Sequence, residues 1–190
     1  IVVDIETSGN FEPEKNGIWQ IGAVDFENPK NMFLGEAKID EEDCIEEGAL
    51  KVTGKTIEEL RNESKQSQKQ LLESFFQWAS KIKNKTLVAH NTPFDYGFLF
   101  LRAKKYDLGF PFSHRTLDLH VFAVAKYFEI NKKLPFEEGK SKMNLPTIIE
   151  FCGLKDKRIQ LKENEVVKEG EPHNSLTDAK LEAECLSRIL

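Results

Sequence analysis

Apolar and β-branched residues fill Ile1 to Ile5, a run of the length and composition of a buried strand. A loop with Gly9, Pro13 and Gly17 follows. The apolar strand pattern resumes over Ile18 to Phe26, and Met32 to Ile39 offers a third strand after Asn28-Pro29. Three strands joined this way predict an antiparallel meander. The acidic stretch Glu41 to Glu47 reads as exposed. Thr56 to Asn62 predicts a short helix, with Thr56 as N-cap and Glu59 completing a capping box. From Lys69 to Lys83, Leu71, Leu72, Phe75, Phe76, Ala79 and Ile82 recur at helical spacing. Thr86 to Ala89 is a buried strand, and Thr92-Pro93 caps a helix reaching about Lys105. Leu117 to Phe128 predicts another helix, and Asn144 to Phe151 a short one stopped by Gly153. Lys155 to Glu171 is charged and poor in apolar residues, a surface loop or loose hairpin. Leu176 to Leu190 is the last helix, with Ala179, Ala183, Leu186 and Ile189 inward. Strands first and helices later predict an α/β fold, a mixed sheet with helices on its faces.

Composition changes this picture little. The 190 residues suit one domain, 1–190, with a full core, although the chain begins abruptly inside a strand and residues before Ile1 are expected. Fourteen Phe predict an aromatic core. The net charge of −5 argues against a tight, non-specific nucleic-acid binder, since phosphate contacts draw on Lys and Arg. Cys44, Cys152 and Cys185 form no C-x-x-C pair. They read as reduced, mostly buried thiols in a reducing, cytoplasmic setting. No apolar run is long enough to cross a bilayer.

The acids change it more. Asp4 and Glu6 lie two apart on the first strand, so both leave the same face. Two carboxylates on one face of an apolar strand are costly without a cation. Mg²⁺ or Mn²⁺ suits such oxygen ligands. The same D-x-E spacing at Asp25/Glu27 and Asp40/Glu42 falls in polar turns and reads as solvated. Asp95 stands in the first turn of a helix just after a strand, where α/β sheets place ligand groups, although a carboxylate there also complements the helix dipole. His173 precedes Asp178 by five positions at the start of the last helix. His90/Asp95 repeats that spacing, and each of these residues taken singly has an ordinary structural reading. Together they supply what metal-assisted phosphodiester hydrolysis needs: carboxylates for two metals and one titrating group for water. His114 and His120 read as a loop and a helix-face residue.

The blocks Val3-Asp4-Ile5-Glu6-Thr7-Ser8-Gly9, Gln20-Ile21-Gly22-Ala23-Val24, Ala89-His90-Asn91-Thr92-Pro93-Phe94-Asp95, Thr116-Leu117-Asp118-Leu119 and Pro172-His173-Asn174-Ser175-Leu176-Thr177-Asp178-Ala179 follow in order. In them the chain resembles the DEDD exonucleases, in the DnaQ-like DEDDh branch that includes polymerase III proofreading subunits and ribonuclease T. The resemblance implies a ribonuclease H-like mixed five-stranded sheet flanked by helices. It implies 3′→5′ exonuclease action on single-stranded DNA or RNA ends, releasing nucleoside 5′-monophosphates with two Mg²⁺ or Mn²⁺ ions. Asp4, Glu6, Asp95 and Asp178 match its metal-binding acids and His173 its general base. Asp118 matches a further acid, read as a helix and packing residue. Ile5, Thr7 and Phe94 match terminal-nucleotide contacts; Phe94 serves equally well as core packing.

Several expectations stay open. The charged segment before His173 suggests that the histidine is ordered only when substrate or metal is bound. A catalytically silent nucleic-acid- or partner-binding module, a homodimer, and a proofreading piece of a larger polymerase assembly are all compatible with the residues. Nothing in them separates DNA from RNA.

Overall fold

Side chains of the first strand, β1 (Val2–Thr7), divide between two apolar layers. Val3 and Ile5 belong to one core, and Val2 faces a second. Strand period therefore sends Asp4 and Glu6 to the side of Val2, not that of Ile5. The structure is a computed structural model and describes residues 1–10, 12–156, 158, 161–162, 165–166 and 173–190.

The expected meander is present. β2 (Ile18–Val24) pairs antiparallel with β1, and β3 (Met32–Glu36) pairs antiparallel with β2. Both strands end earlier than the apolar pattern suggests. On the other side β4 (Val88–Ala89) and β5 (Leu117–Asp118) add in parallel, giving a five-stranded mixed sheet in the order β3-β2-β1-β4-β5.

Helices cover both faces. Three lie between β3 and β4: α1 (Glu47–Thr53), α2 (Ile57–Leu60) and α3 (Gln68–Ser80). The next, α4 (Thr92–Lys105), joins α3 over the Val3/Ile5 side. The Phe-rich composition is spent there: Phe112 lies 5.4 Å from Phe75, 5.7 Å from Phe76 and 5.2 Å from Phe110, ring centre to ring centre. Each fully buried Phe or Leu contributes roughly 1.5–3 kcal/mol. The opposite side is covered by α5 (Leu119–Asn131), α6 (Leu145–Phe151) and α7 (Ser175–Ile189).

Five readings need correcting. Leu117 and Asp118 are strand, not helix; the Asp118 side chain then caps α5 by accepting the His120 N–H at 2.8 Å. Thr92-Pro93 is not the cap of α4. The N-cap is Asn91, in left-handed geometry and without a side-chain cap bond, and Asp118 accepts the Thr92 N–H from across the sheet at 3.1 Å. The acidic stretch 41–47 is not wholly exposed, since Asp43 is buried and Glu47 begins α1. Of the three thiols Cys185 alone is buried, and Cys44 is exposed. Ala183 is only partly buried; Glu182 and Cys185 take the inward positions on α7. The charged segment does hold a small hairpin, β8 (Leu161–Lys162) with β9 (Glu165–Val166), and another, β6 (Phe136–Glu137) with β7 (Lys140–Ser141), precedes α6. Among the described residues no helix is long and apolar enough to cross a membrane.

Asp43 anchors the loop after β1. It forms an ion pair with Arg102 at 2.7 Å, with both side chains 1% exposed, and accepts from Gln68 Nε2 at 2.6 Å. Gln68 in turn accepts the Ile18 N–H, and Arg102 also donates to the Asn16 carbonyl. Removing one partner of a buried pair leaves an uncompensated charge, at a cost of about 3–5 kcal/mol. Asp43→Ala is therefore expected to lower the melting temperature by roughly 6–20 °C, at 2–4 °C per kcal/mol. A loss under about 2 °C would show that water or a neighbour compensates Arg102 freely.

Candidate active site

Three elements deliver the acids. β1 presents Asp4 and Glu6 on the α7 side of the sheet. The first turn of α4 presents Asp95, 4% exposed, with its carboxyl group beside the Ile5 backbone. The first turn of α7 presents Asp178, 3% exposed.

The register of α7 over the sheet is fixed by two contacts. Gln20 on β2 accepts from both the N–H and the hydroxyl of Ser175, at 2.8 and 2.9 Å, 155 positions away in sequence. Gly22 lets the helix backbone approach: a Cβ there would lie 2.1 Å from the Leu176 nitrogen. Asn174 caps the helix through the N–H groups of Leu176 and Thr177.

Ligating atoms of Glu6, His173 and Asp178 lie within 4.8 Å of one another, a set that could hold a metal ion. His173 Nδ1 is 3.3 Å from Asp178 Oδ2. His90, which shares the five-residue spacing, sits elsewhere. Its Nε2 meets the Met143 carbonyl at 3.0 Å, and its ring packs edge-on against His120.

Two residues that the sequence reading passed over also belong here. Arg158 is buried, forks onto Asp156 at 2.9 and 2.7 Å, and reaches Asp178 Oδ2 at 3.2 Å. It lies in the charged segment, where no periodicity marks an inward residue. Glu182 is one turn beyond Asp178 on the same helix face and equally buried. Its i, i+4 relation to Asp178 was the available signal.

The acids oppose one another's ionisation. Burial, and then the charges of Glu182, Glu6, Asp178 and Asp95, push Asp4 well above the usual carboxylate range. Burial first, and Asp178 second, push Glu6 up to about 7. Burial likewise raises Asp95 and Glu182. Asp178 Oδ1 and Glu182 Oε2 accept no hydrogen bond from any described residue. A cluster of this kind suits divalent cations, which supply the charge its own neighbours lack.

A stability prediction follows from Glu6. Between its ordinary value of 4.5 and about 7 the native chain binds more protons than the unfolded one. That contribution is complete below the unfolded value and is lost as pH rises through about 7. The metal-free protein should therefore gain less stability from Glu6 at about pH 8 than at about pH 5.5. His90, held neutral by burial, acts in the opposite sense, so the comparison with Glu6→Gln isolates the carboxylate. Parallel melting curves for the two proteins across that range would refute the assignment.

The acids open onto a cleft of about 890 Å³, whose walls include Asp4, His173, Asp178, Arg158, Asn144, Thr147 and Lys155. Of the expected nucleotide contacts, Ile5 and Thr7 are buried, and the Thr7 hydroxyl donates to the Gly9 carbonyl. Phe94 is half-buried with its ring 4.8 Å from that of Phe98.

The sequence matches the Exonuclease (RNase_T) family over residues 1–186. The chain belongs to that family. A DNA polymerase III PolC-type of Thermotoga petrophila is 29% identical over 159 residues, covering 84% of this chain and 11% of that protein. A Ribonuclease T of Marinobacter nauticus is 30% identical over 120 residues, covering 57% of this chain and 54% of its own length. The exonuclease thus spans about a tenth of the length of its PolC-type relatives. Among solved structures, E. coli Exonuclease I in complex with a dA16 oligonucleotide superposes with a TM-score of 0.68 at 16% identity, covering 99% of this chain and 39% of that one. The nuclease domain of 3′hExo, a DEDDh family member bound to rAMP, gives 0.67 at 16% identity, covering 98% and 88%. The shared architecture is the mixed five-stranded sheet flanked by helices of ribonuclease H-like exonucleases.

Proposed function

We propose that this exonuclease removes nucleoside 5′-monophosphates from the 3′ end of single-stranded nucleic acid, with two Mg²⁺ or Mn²⁺ ions held by Asp4, Glu6, Asp95 and Asp178 and with His173 as general base. The observation that carries the reading is the ligating set of Glu6, His173 and Asp178, drawn from two ends of the chain, beside a cleft that Asp4, His173 and Asp178 line. Bound divalent ions would offset the crowded charge and supply electrophilic stabilisation of the phosphate and a water of lowered pKa. Asp178 Oδ2, 3.3 Å from His173 Nδ1, can orient the imidazole for its role as base. Asp95 lies beside the β1 backbone at Ile5. Phe94, packed on Phe98, would supply the aromatic face for a terminal base.

The test is to offer 3′-labelled single-stranded DNA and RNA with Mg²⁺, Mn²⁺ or EDTA. Labelled mononucleotide should appear with metal and vanish with EDTA and in Asp4→Asn. Intact polymer under every metal would sink the reading. The two polymers side by side assign the sugar.

The PolC-type relatives favour a second, narrower reading: proofreading within a larger polymerase assembly. A primer with a mismatched 3′ terminus should then be shortened faster than a matched one.

A further inference from the structure

Arg158 is the buried cation that the proposed mechanism does not use. Its side chain is 5% exposed, and it lines the cleft together with Asp156, His173 and Asp178. Two mounts hold the guanidinium, and they differ. Nε and Nη2 fork onto Asp156 at 2.9 and 2.7 Å, and Asp156 Oδ1 also accepts the Arg158 backbone N–H at 3.0 Å. Nη1 reaches Asp178 Oδ2 at 3.2 Å. Paired charge-assisted bonds at the shorter distances make the stronger mount, so the contact with Asp178 is the one that can give.

The weaker contact falls on a residue of the ligating set, since Asp178 joins Glu6 and His173 there. Oδ2 of Asp178 takes both Arg158 Nη1 and His173 Nδ1, while Oδ1 is buried and accepts from no described residue. A guanidinium keeps its charge at every working pH. Beside Asp178 it supplies part of the positive charge that a divalent ion would bring, and it repels that ion. With Asp178 engaged by an ion, Nη1 is left without its acid. The fork on Asp156 does not depend on Asp178 and holds the guanidinium at the cleft wall. A nucleic acid entering the cleft is a polyanion, and Arg158 and Lys155 are the arginine and lysine among the described residues that line it. The planar edge of an arginine suits phosphate oxygens.

Building on the metal-dependent reading above, we propose that Arg158 exchanges partners: it balances Asp178 in the metal-free protein, yields that carboxylate to a divalent cation, and then offers Nη1 to a phosphate oxygen of the bound strand. Asp156 is the positioning residue that keeps the guanidinium in reach of both.

Arg158→Gln tests this, since it removes the charge and keeps a polar side chain. Mn²⁺ is titrated into the full chain by calorimetry without nucleic acid. Thymidine 5′-monophosphate and thymidine are then titrated separately at saturating Mn²⁺. Arg158→Gln should bind Mn²⁺ about fivefold or more tightly than the wild type, because a competing cation is gone. It should bind the monophosphate about tenfold or more weakly, as for a lost charge-assisted bond, and thymidine equally well. Mn²⁺ binding that weakens would make Arg158 a prop of Asp178 and overturn the exchange, and unchanged Mn²⁺ binding would overturn it too. Monophosphate binding that is absent in the wild type, unchanged in the variant, or lost together with thymidine binding would refute the phosphate contact. In all these cases the metal-dependent reading stands; a wild type that binds no Mn²⁺ would overturn both. Should Arg158→Gln fail to fold, wild-type crystals grown with Mn²⁺ and the monophosphate decide. Nη1 within hydrogen-bond reach of a phosphate oxygen and out of reach of Asp178 Oδ2 supports the exchange, and Nη1 still on Asp178 refutes it.

Discussion

His173→Ala is expected to slow nucleotide release by about 10²–10⁴-fold, the usual contribution of a positioned general base, while leaving the fold and Mn²⁺ binding in place. The imidazole lies beside Asp178 at the cleft, its side chain 23% exposed. Removing it should therefore change chemistry more than stability. The rate–pH profile separates two roles. A base must be neutral to act, so the wild-type rate should rise with pH through the imidazole's titration, and the variant should lose that limb. The same ring belongs to a set able to ligate an ion. Metal affinity that falls together with the rate would make His173 a ligand and remove it from the role of base. An unchanged rate would remove it from both.

Gly22→Ala should produce the largest structural effect of any single methyl in the chain's described glycines. The added Cβ would meet the Leu176 nitrogen at 2.1 Å, the Ser175 carbonyl carbon at 2.2 Å and the Leu176 Cα at 2.5 Å. These are backbone atoms of α7 and cannot rotate away. Overpacking against movable side chains costs about 1–3 kcal/mol. Here the helix itself must lift, so the expected loss is about 3 kcal/mol or more, a fall of roughly 6–12 °C in melting temperature. Activity should fall further than stability, because Asp178 rides on the displaced helix. Gly48→Ala is the control. Nothing lies within 4 Å of its added methyl, and a helical Gly→Ala change there should be neutral or stabilising by up to about 1 kcal/mol. Equal melting temperatures for Gly22→Ala and the wild type would show that α7 slides over β2 without penalty.

The parts of the fold legible from sequence were those in which periodicity and local chemistry agree. β1 and β2 read as apolar runs, α3 as a helical stripe, and α2 as a capping box that the structure forms in full. The short parallel strands were harder. Two-residue strands such as β5 carry no period, and Leu117-Asp118 merges with the apolar helix that follows. Asp118 shows why: its carboxylate serves two helix starts at once, one of them across the sheet, and local sequence contains only half of that arrangement. Asp43 was misread for the same reason, since its partner Arg102 lies on a distant helix. At the site, Asp4, Glu6, Asp95, His173 and Asp178 could be named because each stands in a block with its own character. Arg158 could not, because a lone arginine among charged residues carries no pattern. Glu182 hid behind an assumption that helix positions facing the core are apolar.

The bond between Gln20 and Ser175 has a consequence for the order of events in the cell. Its two ends are 155 positions apart, and the helix bearing Asp178 follows every strand of the five-stranded sheet in chain order. While this chain leaves the ribosome, the sheet can form its meander from local contacts long before α7 exists. During that interval Asp4 and Glu6 face water rather than a closed acidic pocket. The acids of β1 and the acid of α7 thus come together only when α7 settles onto Gly22.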